Sequence, residues 1–145
     1  MNIHFLLDIF FVREIGLTEL QVIKVLMAAF LGVLFTQSGL DKAFDYKENL
    51  DYFMGHFKDS PLRNMIGWLM PVITVLEISA GILSSIGAVL LFFKEENIAF
   101  AGNLLGALSV LALFFGQRVA KDYNGAAVLV PYFLLCVFGL YLYLA

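Results

Sequence analysis

The sequence predicts an all-α protein: an integral membrane four-helix bundle, with a short N-terminal interfacial segment and an amphipathic loop between helices 1 and 2. Three observations predict it. First, 61% of the 145 residues are hydrophobic and only 14% are charged, against about 45–50% and about 25% in a soluble domain. A chain of this length has too little interior to hide so many apolar side chains, so the excess must face lipid. Second, the few charges are spaced so as to leave four long gaps. Third, strand-period alternation is absent, and a closed membrane barrel needs about eight strands or more. With a formal net charge of −3, the composition argues against a soluble enzyme, a disordered chain and a basic nucleic-acid binder.

The elements follow in order. Residues 1–17 are apolar at their start but lack a basic leader and a small-residue cleavage site, so they are read as an interfacial arm, with Asp8 and Arg13 at headgroup depth. Lys24 and Asp41 bracket sixteen uncharged residues. With its flanking turns (21–42) this run reaches the ~20 residues that a bilayer needs, and Thr18-Glu19-Leu20-Gln21 offers a capping box. Residues 41–63 carry five acids, four bases and an apolar-aromatic pattern (Phe44, Tyr46, Leu50, Tyr52, Phe53, Phe57). That pattern suits an amphipathic helix lying on the membrane or covering the bundle.

The second span, 64–93, holds one charge, Glu77, and Ser60-Pro61 predicts its start. Its thirty residues would extend about 45 Å, so a bend at Pro71 and a protruding end are expected. The third span, 97–117, is expected to be capped by Asn97. The fourth, 123–145, is expected to follow a turn at Asn124-Gly125. Six of the nine basic residues fall in the connections 41–63 and 118–122. The positive-inside rule then places those connections in the cytoplasm and both termini outside.

Glu77 is the residue richest in implication. A carboxylate at the bilayer centre costs about 2.5–3.5 kcal/mol, so it should face the bundle interior or a polar cavity. At 100° per residue, Met70, Ile73, Thr74, Glu77, Ala80, Gly81, Ser84 and Ala88 share one small and polar face. Trp68, Val72, Val75, Ile82, Ile86, Val89 and Phe93 make the bulky opposite one. In the third span the inward stripe is Ala99, Asn103, Gly106, Ala107, Val110, Phe114 and Gln117, with Gly102 and Gly106 at the GxxxG spacing. In the first it is Ala29, Gly32, Thr36, Gly39 and Ala43. The plain reading of Asn103 is an interhelical hydrogen bond. Glu77 has three readings: a protonated carboxyl tying helices together, a proton-handling or ligand-anchoring group, and a buried ion pair with Lys42 or Arg118. Asn103, Gln37, Gln117 and Thr74 are its candidate polar companions.

Several chemistries lack their residues. Cys136 is the single cysteine, so this chain holds no dithiol pair. His4 and His56 both lie outside the spans, which leaves the bundle without haem ligands. His56 is read as solvated surface, and Tyr141 and Tyr143 as an interfacial belt. No phosphate loop, nucleophile elbow or zinc motif occurs, so no catalytic residue and no metal ligand is assigned.

Two segments carry a resemblance. Leu31 to Phe44, LGVLFTQSGLDKAF, resembles the first-helix signature of DoxX and MauE proteins, with Ser38, Gly39 and Lys42 at its motif positions. Met70 to Gly87, MPVITVLEISAGILSSIG, is similar to that family's second motif, with Glu77 and Gly81 in place. Asn124 and Gly125 match the turn before the last helix, and the likeness spans about residues 20–145. The sequence departs from the family near Gln37, where members often carry a histidine, and at Ala126 and Ala127, where they carry an acid.

The resemblance implies a multi-pass protein of the bacterial cytoplasmic membrane, linked to quinol-oxidase or thiosulfate:quinone oxidoreductase systems. The leading expectation is a non-catalytic accessory or docking subunit of a membrane redox complex. Its partners would be the lipid bilayer and a redox protein, with homo-oligomers compatible. The alternative is a quinone- or lipid-binding protein using a cavity around Glu77. An oligomeric small-molecule transporter ranks third.

Overall fold

The structure is a computed structural model in which residues 16–144 are described; the expected interfacial arm lies outside them apart from Gly16 and Leu17. The described residues form helices α1 (Glu19–Phe44), α2 (Tyr46–His56), α3 (Ile66–Leu90), α4 (Asn97–Val119) and α5 (Tyr123–Leu144). Single 3-10 turns, Arg63–Met65 and Leu91–Phe93, extend α3 at both ends. Among the described residues, four stretches are long and apolar enough to cross a membrane: Glu19–Phe44, Arg63–Phe93, Asn97–Val119 and Tyr123–Leu144. The protein is a helical membrane bundle with a short amphipathic helix, α2, between its first two spans.

Local chemistry explains the helix ends. Thr18 forms the expected capping box: its Oγ1 accepts from Gln21 N at 3.2 Å, and Gln21 Oε1 accepts from Thr18 N at 2.9 Å. This arrangement satisfies two of the N-terminal amides that a helix leaves unpaired. The other expected starts need correction. Ser60 Oγ accepts from Leu62 N at 3.2 Å, making a tight turn that keeps Pro61 ahead of the helix. Asn97 is the first helical residue and Glu96 holds the cap position without a side-chain bond. The turn into α5 falls at Lys121-Asp122, ahead of Asn124-Gly125, which are already helical; Asp122 caps the helix, its Oδ1 accepting from Gly125 N at 2.8 Å. α3 continues through Pro71, whose ring leaves the Gly67 carbonyl without its helical amide partner.

Two turns close the same way. Lys121 N donates to Arg118 O at 3.1 Å and Asp122 N to Gln117 O at 2.9 Å. Lys94 N donates to Leu91 O at 3.1 Å and Glu95 N to Leu90 O at 3.2 Å. Both are Schellman endings, whose pivot residue takes the left-handed conformation. The pivots are lysines, Lys94 at φ 65° and Lys121 at φ 61°.

Small residues set the packing. Along the antiparallel α1–α3 contact, Gly32 lies against Ser85, Thr36 against Gly81 and Gly39 against Ile78. Along α3–α4, Gly87 meets Ala99 and Gly102 meets Ser84. Missing side chains let the backbones approach closely. Gly106 instead receives the Phe35 ring of α1, so Gly102 and Gly106 serve two different neighbours. Met27, Leu31, Phe35, Ala80, Ala107, Val110, Cys136 and Leu142, drawn from all four spans, form the central cluster.

The α3 wheel matches the buried set Met70, Thr74, Glu77, Ala80, Gly81, Ser84 and Ala88, and its bulky face is exposed. In α1, Gly32 and Gly39 are buried, whereas Ala29 and Ala43 of the expected stripe are exposed. The close-packing seam is therefore shorter than the helix.

Candidate functional site

At the end of the bundle nearest α2, two residues converge on the buried carboxylate of Glu77. Glu77 is 1% exposed. Its Oε1 accepts from Ser38 Oγ at 3.0 Å, and Lys42 Nζ sits 2.9 Å from Oε2, an ion pair without hydrogen-bond alignment. Lys42 Nζ also donates to Ser38 Oγ at 2.8 Å and to Ser38 O at 3.2 Å. Ser38 and Lys42 stand one turn apart and so share a face of α1. The α1–α3 glycine seam brings that face against Glu77. Of the three readings open to the carboxylate, the geometry realises the ion pair, with Lys42 and not Arg118. Burying both charges is tolerable because each has its counter-charge and a hydroxyl beside it.

A second polar junction ties α2 to the bundle. His56 Nε2 lies 2.9 Å from Gln117 Oε1 and 3.5 Å from Asp122 Oδ2. His56 is thus half-buried and partnered, which corrects its reading as solvated surface. The reason lies in its own helix: Tyr52 stacks on its ring at a centroid distance of 5.8 Å, and the adjoining Phe57 is buried against Gly116. These contacts hold α2 down on α4.

Between these junctions lies a cavity of about 250 Å³, bounded by α2 (Phe53) with the adjoining Phe57, by the start of α3 (Ile66, Leu69, Met70, Ile73) and by the end of α4 (Leu113, Gly116). Its lining is apolar except for Lys42 and Gln117.

The remaining candidate residues are dispersed. Gln37 is exposed, one position away from the face that carries Ser38 to Glu77. Thr74 Oγ1 donates back to Met70 O at 2.8 Å, spending its hydroxyl within its own helix. Asn103 is buried and packs on Gly139, yet neither Oδ1 nor Nδ2 has a hydrogen-bond partner among the described residues. The interhelical bond expected of it is not formed there. Asn124 is exposed and Gly125 serves the α5 cap. At the opposite end, Lys24 pairs with Glu96 at 2.8 Å and lies 5.6 Å from the Tyr143 ring centroid, a cluster that helix periodicity did not flag.

Comparison of the chain with protein-family models, with curated proteins and with solved structures finds no match.

Proposed function

We propose that this protein holds a quinone or a lipid in the cavity between α2, α3 and α4. In this reading it is a DoxX/MauE-like subunit of a bacterial cytoplasmic-membrane redox system, without a catalytic centre of its own. One observation carries the reading: an apolar cavity is reached by Lys42, the partner of the buried Glu77. Apolar walls with a few placed polar groups are the usual make-up of a small-molecule site. The resemblance adds support, because its motif residues Ser38, Lys42 and Glu77 come from two separate segments and meet in space. The excess of basic residues in 41–63 and 118–122 supports a cytoplasmic position for this end.

Gly116 offers a clean test, because a Cβ there would meet only Phe57, at 3.6 Å. Gly116→Leu should fill the cavity without displacing backbone. Native mass spectrometry of the gently solubilised protein should then show a co-purifying quinone or lipid that is lost from Gly116→Leu, at unchanged melting temperature. Equal amounts in both proteins, or none in the wild type, would count against the cavity as a binding site.

A further inference from the structure

We infer that the cavity selects an uncharged ring carbonyl on an apolar body, and that the Gln117 side-chain amide is the donor that recognises it. The inference rests on the binding reading above and narrows its chemistry. Lys42 is already committed. It is hydrogen-bonded twice to Ser38, and its charge is balanced by Glu77 at 2.9 Å. An anionic head at Lys42 would meet the Glu77 carboxylate, and a cationic one would meet the ammonium, so both are disfavoured where water cannot screen them.

Gln117 is different. The Asp122 carboxylate 3.5 Å from His56 Nε2 favours the proton on that nitrogen, so His56 donates and the Gln117 oxygen accepts at 2.9 Å. The amide nitrogen is thereby left with two N–H donors, and among the described residues it makes no hydrogen bond. It belongs to a side chain that lines the cavity. A donor in an otherwise apolar wall calls for an acceptor, and a carbonyl oxygen supplies one without charge. The rings of Phe53, Phe57 and Phe115 among its lining residues suit a flat ring better than a flexible chain. At about 250 Å³ the space takes a head group and not a whole drug-sized ligand, which needs about 300–1,000 Å³. The apolar tail would leave past the exposed side chains of Met65 and Phe115 into the bilayer.

The test compares four probes on the full-length protein in nanodiscs: decylubiquinone, undecylbenzene (ring and tail without a carbonyl), palmitate (an anion) and monoolein (a chain ester). Decylubiquinone should bind at least about tenfold more tightly than the others, since a site built around a polar contact rejects analogues lacking it. Gln117→Glu keeps an acceptor for His56 but removes the N–H donors. It should weaken decylubiquinone about tenfold and leave undecylbenzene unchanged. Gln117→Met should do the same, with a melting curve to check its folding. Tighter binding of palmitate or monoolein, or unchanged quinone binding in Gln117→Glu, overturns the inference while leaving the cavity a binding site. Failure of every probe to bind the wild type overturns the binding reading itself, and this inference with it.

Discussion

Glu77 and Lys42 illustrate how a buried charge becomes tolerable. Each alone would be a costly ion in a bilayer-spanning helix; together, with Ser38 between them, they are a neutral cluster. Removing one partner is therefore worse than removing both. Lys42→Met leaves Glu77 uncompensated and should destabilise the protein by about 3–5 kcal/mol. The double change Lys42→Met with Glu77→Leu should recover most of that loss. Thermal unfolding in detergent, arranged as a double-mutant cycle, measures the difference; equal losses in the single and double variants would contradict the pairing. Glu77→Gln is a less clean probe, because it retains an acceptor for Ser38 yet strands the Lys42 charge.

Helix geometry, and not side-chain chemistry alone, decides which residues meet. The α1–α3 seam of Gly32, Gly39 and Gly81 fixes the register that carries Ser38 and Lys42 to Glu77 and leaves Gln37 on the outside. A one-residue rotation of α1 would exchange them, since successive residues lie 100° apart on a helix. The two turns that close with lysines store local strain, because a side chain in the left-handed region costs about 1–2 kcal/mol. Lys121→Gly should relieve it and stabilise the bundle by about 0.5–1 kcal/mol, the gain being offset in part by the freer unfolded chain. Lys121→Ala, which loses the charge but keeps the Cβ, should bring no such gain. Melting temperatures of the two variants, read side by side, check the point.

Over the whole molecule, the bulky face of α3 and much of α5 are left uncovered by the rest of the chain. Trp68 is 82% exposed and is the single tryptophan, so its fluorescence reports on that face alone. In liposomes it should be quenched strongly by brominated acyl chains and weakly by aqueous acrylamide. The opposite pattern would place this surface in water. The cavity lies at the α2 end of the bundle and the Lys24–Glu96 pair at the other, so the described residues are polarised along the bundle axis, with this apolar recess beside α2.

The sequence by itself determined the four spans, the amphipathic helix between the first two and the inward face of α3. These depend on composition and on a 3.6-residue period, and both are local properties of the chain. It also singled out Glu77, because a lone charge in a span of thirty residues stands out without any partner in view. Only the tertiary structure decided that Lys42 answers it, that Asn103 and Thr74 stay apart from it, and that His56 joins Gln117 across sixty-one positions. Those outcomes depend on the rotation and sliding of one helix against another. That register is set by where small residues let backbones touch, a property shared by two segments and visible in neither one read alone.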